Sequence, residues 1–374
     1  MQKNPDLNSV HPKSKVCIIL PSFAVGGAEK VVMQLANHLN FRICLIVLNS
    51  SGDLNRYVSS GIDVHCLNKK HLHHCFPEIL KLIKRLQPNV IFSTNSHINV
   101  AILCLKLFLP RNIKFIIRES NVPSINLNFG MKGKFIKLLY NFVYKYADAI
   151  ICPGNGIKND LEKNFSVNRS RIYVIPNPIN YGEITGKLSE FKIERPKNLH
   201  ALIASGSLTK QKGFDLLIKA MSLLVTKMNN VHLTILGAGR EMKNLRNLIT
   251  NERLENAIDL HGYENNVYPF FSAADLFILS SRWEGMPNVV LESLACGTPV
   301  VAFNCPGCIE EIIDTEKQGS LVPAGDISRL ANTIEEMLKQ KMRDKGQSLL
   351  PIRFDIQSVA SRYNDLFEKV IATI

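Results

Sequence analysis

Residues 275–302 read DLFILSSRWEGMPNVVLESLACGTPVVA. Asp275–Leu279 and Pro299–Ala302 are short apolar runs of the kind that buried parallel strands show. Between them Asn288–Cys296 carries a helical period, with Asn288 expected as its N-cap. Strand, loop, helix and strand in so short a span make a βαβ unit. The loop Ser280–Pro287 then lies at the C-terminal end of a strand, where open α/β sheets bind ligands.

The same alternation extends in both directions. Upstream, Val16–Leu20, Ile43–Leu48, Val90–Phe92, Phe115–Ile117, Ala149–Cys152 and Ile172–Ile175 read as strands. Ala28–Leu39, Leu80–Leu86, Asn99–Phe108 and Phe135–Tyr146 read as helices. Pro176-Asn177-Pro178 breaks the pattern, and Asn180–Asn198 is polar and reads as irregular. The alternation restarts with a strand at Ala201–Ala204, a helix at Gly213–Met228 and a strand at His232–Leu236, and continues to a helix at Ile327–Gln340. Ile356–Ile371 is amphipathic. The expectation is an α/β protein of two Rossmann-like, doubly wound domains facing a cleft, covering 1–180 and 181–355. A C-terminal helix, 356–374, is expected to pack back on the first domain.

Composition narrows the class. The 374 residues are 46% hydrophobic and 21% charged, which is globular rather than disordered. The net charge of +13 is uneven: residues 1–180 carry 23 basic and 9 acidic side chains (+14), and the remainder carries 22 and 23 (−1). A half so basic points to a polyanion, either nucleic acid or an anionic membrane. Nine cysteines, an odd number, make no disulfide scaffold; Cys17 and Cys44 sit in apolar runs as reduced, buried thiols do. Cys305-Pro-Gly-Cys308 reads as a turn, and the His71, His73, His74, Cys75 cluster as a solvated loop, so no metal site is expected. The first fifteen residues lack the apolar region of a signal peptide. The longest apolar stretch, Ile98–Leu109, is too short to span a bilayer. A cytoplasmic protein is expected.

Several loops carry chemistry. Gly26-Gly27 follows the first strand and opens a helix, which lets backbone amides approach a phosphate. In Ser205-Gly206-Ser207-Leu208-Thr209-Lys210-Gln211-Lys212-Gly213 a strand runs through a glycine turn into two lysines and a helix, which suits a diphosphate. Ile235-Leu236-Gly237 ends another strand, and Gly262-Tyr263 a further one. Glu284 and Glu292 flank the start of the 288–296 helix. Each can accept hydrogen bonds from sugar hydroxyls while a phosphate sits on the amides of Asn288 and Val289.

The string Glu284-Gly285-Met286-Pro287-Asn288-Val289-Val290-Leu291-Glu292, followed by Ala295-Cys-Gly-Thr-Pro-Val-Val301, resembles the E-x7-E signature of the retaining glycosyltransferases of family GT4, which have the GT-B fold. The Gly206–Phe214 segment, the Gly26-Gly27-Ala28-Glu29 loop and Pro176-Asn-Pro-Ile179 resemble the same family in the same order. The resemblance implies a nucleotide sugar, UDP-linked, held mainly by the second domain. Glu292 would bind the ribose, Glu284 the donor sugar, Lys212 the diphosphate, and Gly262-Tyr263 would lie near the base. It implies transfer of a hexose or N-acetylhexosamine without a metal or other cofactor. The acceptor would be a lipid-linked or membrane-bound glycan, as in lipopolysaccharide or capsule synthesis. The family usually has G-R-L where this chain has Gly206-Ser207-Leu208, and Lys210 is the expected substitute. Where many members carry a histidine near the acceptor, this chain has Arg118-Glu119-Ser120-Asn121, and Glu119 or Arg118 would take that place. Two other readings are a different GT-B enzyme, such as a sugar-nucleotide epimerase or a glycogen-type synthase, and a basic nucleic-acid binder. The last has no recognition motif to support it.

In residues 131–146, Phe135, Leu138, Leu139, Phe142 and Tyr146 share one helical face, with Lys134, Lys137 and Lys145 mostly off it. This is either an amphipathic helix lying on an anionic membrane or a core helix with solvated lysines. With a lipid-linked acceptor the first reading places the protein on the inner face of the cytoplasmic membrane.

Overall fold

The computed structural model describes residues 14–24, 26–69, 72–126, 130–165, 167–194, 198–340 and 347–373. Side chains at 72–73 and 130–136 lie outside that description, as do His71, the polar N-terminus and, within the 131–146 segment, Lys134 and Phe135.

Two all-parallel sheets form the molecule. The first holds β1 (Lys15–Ser22), β2 (Arg42–Asn49), β3 (Asp63–Cys66), β4 (Val90–Thr94), β5 (Lys114–Arg118), β6 (Ala149–Cys152) and β7 (Ile172–Val174), in the order β3-β2-β1-β4-β5-β6-β7. The second holds β8 (His200–Ser205), β9 (Val231–Leu236), β10 (Ile258–Gly262), β11 (Leu276–Leu279), β12 (Val300–Asn304) and β13 (Gly319–Pro323), in the order β10-β9-β8-β11-β12-β13. Strand order reverses between β1 and β4 and again between β8 and β11. Those switch points are where a parallel sheet leaves a crevice beyond its strand ends, and the two crevices face each other.

The strands are apolar because helices cover both sheet faces. On one face of the first sheet, Ile18, Leu45 and Phe92 pack with the helix Gly27–Ala36 and with the C-terminal helix Ile356–Ala372. Phe367 of that last helix is fully buried, edge-on to Phe92 at 5.4 Å. The chain therefore crosses between domains twice, side by side. Ile179 N–H donates to the Phe354 carbonyl (2.7 Å) and Ile356 N–H to the Ile179 carbonyl (2.9 Å).

Several elements differ from expectation. The stretch read as irregular after Asn180 contains a helix, Tyr181–Leu188, whose start is capped by the Asn180 side chain accepting from Glu183 N–H at 3.0 Å. The helix Asn155–Phe165 is too polar to stand out by period. β3 and β13 are sheet edges, partly exposed and short. Asn288 is the first helical residue rather than the cap; Pro287 occupies the cap position with no side-chain bond.

Replacing Phe367 with alanine removes a fully buried ring and is expected to cost about 3–5 kcal/mol, read as a lower midpoint of urea unfolding. An unchanged midpoint would show that the last helix is not part of the core.

Candidate functional site

A cavity of about 590 Å³ lies between the domains, at the ends of both sheets. From the first domain, the Gly26-Gly27 turn, Lys30, Arg118 and Asn177 line it. From the second come Gly206, Ser207, Lys212, Gly237 and Tyr263, and then the loop and helix start Glu284–Val289 with Glu292. Most of the residues singled out in the sequence thus meet in one space.

The 280–292 segment is built to stay in place. Arg282 forms a two-pronged pair with Asp215 (2.8 and 2.7 Å), and this bond holds the Asp215 carboxyl below its ordinary range. Gln211 Nε2 donates to the Trp283 carbonyl (3.0 Å), and Ser280 Oγ to the Lys212 carbonyl (3.0 Å). The lysine turn and the glutamate loop therefore move as one piece. Gly213 has φ +63°, and a Cβ there would lie 2.0 Å from the Ser280 carbonyl oxygen, so only glycine fits.

Glu284 is buried. Its Oε1 accepts from Lys212 Nζ and Ser281 Oγ, each at 2.6 Å. Glu292 is buried as well, and its Oε1 accepts from Lys30 Nζ at 2.5 Å across the domain boundary. Lys30 also donates to the Tyr268 hydroxyl at 3.1 Å. Burial works against the Lys30 ammonium, but Glu292 and Tyr268 outweigh it and raise its pKa well above the ordinary lysine value. The helix Asn288–Ala295 begins between the two carboxylates. Its first amides have no partner within the helix, and its dipole favours an anion at that end.

The domains touch closely here. A Cβ on Gly285 would lie 2.0 Å from the Ser120 carbonyl oxygen, so any larger residue would push the halves apart. Asn177 Nδ2 donates to the Met286 carbonyl (3.2 Å) and to Asn288 Oδ1 (2.6 Å), and Asn288 Nδ2 donates to the Gly27 carbonyl (3.0 Å).

Three expected residues are not brought in. Lys210 is exposed and outside the cavity; its carbonyl accepts from Arg282 instead, at 2.7 Å. Gly262 lies behind the lining, where its carbonyl accepts from Gly237 N–H at 2.6 Å. Glu119 is fully buried away from the cleft. Its carboxylate accepts from Ser96, Asn99, Tyr140 and Tyr144, and burial pushes its pKa up. Neighbouring residues of an extended chain point to opposite sides, so Arg118 reaches the cavity and Glu119 does not. Lys30 went unnoticed in the sequence, and Asn177 was read there as part of the Pro176–Ile179 segment without a role in the cleft. Lys30 sits one helical turn beyond the Gly26-Gly27 loop, and that spacing was its only signal. Cys305 and Cys308 are buried thiols pushed up to about 12 by desolvation, which makes them inert at neutral pH.

The family model described as "Glycosyltransferase Family 4" matches residues 25–183, and that described as "Glycosyl transferases group 1" matches residues 187–348. An uncharacterised glycosyltransferase of Methanocaldococcus jannaschii is 32% identical over 64% of this chain and 61% of its own length. The N-acetylgalactosamine-N,N'-diacetylbacillosaminyl-diphospho-undecaprenol 4-alpha-N-acetylgalactosaminyltransferase of Campylobacter jejuni is 29% identical over 87% of this chain and 90% of its own. HepE of Anabaena, solved in complex with UDP, superposes with a TM-score of 0.73 at 18% identity, over 96% of this chain and 100% of that one. The two family models lie end to end over two facing Rossmann-like domains, and the chain belongs to the GT4 glycosyltransferases of GT-B fold.

Proposed function

We propose that this protein moves a hexose or N-acetylhexosamine from a UDP-linked sugar to a lipid-linked or membrane-bound glycan in bacterial surface-polysaccharide synthesis. Lipopolysaccharide and capsule are the polymer types meant. The observation that carries this reading is the single cavity in which Glu284, Lys212, Glu292 and the start of the 288–295 helix face the Gly26-Gly27 turn. UDP in the Anabaena structure and the diphospho-undecaprenol acceptor in the name of the Campylobacter relative support its two substrate classes.

In this reading Glu292 accepts from the ribose hydroxyls and Glu284 from hydroxyls of the donor sugar. Lys212 and the first amides of the helix take the diphosphate, and Gly237 and Tyr263 border the base. The reaction then depends on stabilising charge that grows on the departing diphosphate, supplied by a lysine and a helix end in a water-poor cleft. No metal is needed for that step. Retention follows if a donor phosphate oxygen takes the acceptor proton, so the paired carboxylates of a retaining hydrolase are not required.

The acceptor side of the proposal rests on the helix Gly130–Val143 and the turn that follows it. Its buried side is Tyr140, Val143 and Tyr144, while Leu138 (54% exposed), Phe142 (58%) and Tyr146 face outward. Lys106 Nζ donates to the Tyr146 carbonyl at 2.8 Å, which sets the exposed Leu107 and Phe108 beside that face. Lys145 is exposed next to it. Apolar side chains rimmed by lysines suit the headgroup layer of an anionic membrane. Among the described residues no helix is long and apolar enough to cross a membrane, so the contact proposed is peripheral, on the inner face.

Glu284→Gln is expected to lower the transfer rate by about 10²–10³-fold while leaving the fold intact, measured with the UDP-sugar that stabilises the protein best in a thermal-shift panel of UDP-, GDP- and ADP-sugars. A rate close to wild type removes Glu284 from the sugar site. Lys212→Ala should weaken UDP by about 2 kcal/mol, roughly 30-fold in Kd, and calorimetry returning the wild-type value rejects the diphosphate role. Lys137→Ala with Lys145→Ala should weaken binding to phosphatidylglycerol-containing vesicles by about 2 kcal/mol. Equal co-sedimentation of variant and wild type would place the membrane contact elsewhere.

A further inference from the structure

Three cationic side chains line the cavity: Lys30, Lys212 and Arg118. Both lysines are spoken for, Lys30 by Glu292 at 2.5 Å and Lys212 by Glu284 at 2.6 Å. Arg118 is different. It is 1% exposed, and among the described residues no carboxylate lies within ion-pair distance of it. Its Nη1 donates to Thr94 Oγ1 (3.3 Å) and its Nη2 to Asn177 Oδ1, its Nε has no partner at hydrogen-bond distance, and the further group beside it, the buried Tyr363 hydroxyl, is neutral as well. A buried guanidinium with only neutral partners bears a desolvation cost that hydrogen bonds alone do not recover. Such a charge is retained where an anion arrives.

The position of Arg118 selects the anion. Asn177, which Arg118 holds, donates in turn to Asn288 Oδ1 at 2.6 Å, on the first residue of the 288–295 helix. Gly285 packs against the Ser120 backbone, two residues after Arg118. The unpaired cation therefore lies on the first-domain wall of the cavity, one side chain (Asn177) away from the helix start at which the proposed diphosphate ends. We infer that Arg118 is an anion-binding residue for the β-phosphate of the donor, the group on which charge accumulates as the sugar leaves. A planar guanidinium fork suits a phosphate oxygen better than a lysine would. Lys212 then serves the diphosphate from the second domain and Arg118 from the first, so that the full cationic site exists only when the domains meet. This inference rests on the nucleotide-sugar reading given above.

The test compares UDP with UMP by calorimetry in wild type, Arg118→Gln and Arg118→Lys. Glutamine keeps a donor for Asn177 and removes the charge. Wild type should bind UDP more tightly than UMP. Arg118→Gln should lose about tenfold or more of UDP affinity and leave UMP within about twofold, collapsing the ratio, and Arg118→Lys should recover part of it. If Arg118→Gln does not fold, the lysine variant decides, since its ratio should still fall below that of wild type. An unchanged ratio with a lowered melting temperature would make Arg118 purely structural and overturn the inference. An unchanged ratio with a raised KM for a lipid-linked acceptor would assign the charge to the acceptor phosphate and overturn it equally. Wild type that binds no nucleoside diphosphate at all would remove the proposed function and this assignment together.

Discussion

The seam of the cleft turns on a carboxamide. Asn177 is buried, accepts from Arg118 of the first sheet and donates to Met286 and Asn288 of the second domain. A carboxamide can do both at once, which no charged side chain can. It sits between Pro176 and Pro178, whose rings fix the backbone where the chain leaves the first domain. The return crossing at Phe354–Ile356 is bonded to the neighbouring Ile179. The relation between the sheets is thus set by two adjacent chain crossings and a few hydrogen bonds across the seam. The glycines nearby follow from this closeness, because a Cβ on Gly285 would lie 2.0 Å from the Ser120 carbonyl oxygen and one on Gly156 1.8 Å from that of Gly307, each across the seam.

The charge pattern in the cleft has the same logic. Buried ion pairs add little net stability, since desolvation offsets their attraction. What the Lys212–Glu284 and Lys30–Glu292 pairs do is orient the carboxylates before any ligand arrives, and a preorganised acceptor loses less on binding. The two pairs differ in reach. Lys212 and Glu284 belong to one domain, tied further by Gln211 and Ser280. Lys30 and Glu292 belong to different domains. One end of the helix start is therefore rigid within the second domain, while the other depends on how closely the domains approach.

Much of the architecture is legible in the sequence because buried parallel strands are plain apolar runs. Strands β1, β2, β4, β5, β6, β7, β8, β9, β11 and β12 could be read that way. The edges β3 and β13 could not, since half-exposed strands lose the continuous run. The helix after Asn180 did carry a signal, an Asn with a Glu three residues on, which the surrounding polarity masked. The site was legible where loops at strand ends use glycine, lysine and glutamate together. Arg118, Glu119 and Lys210 were not sortable, because the sequence shows three charges and only the local backbone direction shows which one faces the cleft. Lys30 was missed for a related reason. A lysine in the first turn of a helix reads as solvated until a carboxylate from 262 positions away lies beside it.

The charge asymmetry acquires a location from the same structure. The lysines and glutamates of the cleft balance each other, so the +14 of the first half is not absorbed there. Part of it lies around the helix Gly130–Val143, which has two apolar sides where a core helix needs one. The inner side is satisfied: Tyr140 and Tyr144 stack at 4.0 Å and both donate to Glu119. The outer side exposes Leu138 and Phe142 to water, which is costly unless something covers it. Glu119 links the two ends of this chain of contacts. It anchors the inner side of the helix, while its neighbours Arg118 and Ser120 line the cavity. The inner side of the helix is therefore bonded to the strand end whose neighbouring residues line the cleft, so the exposed apolar face and the cavity wall share one short run of chain, Arg118–Ser120.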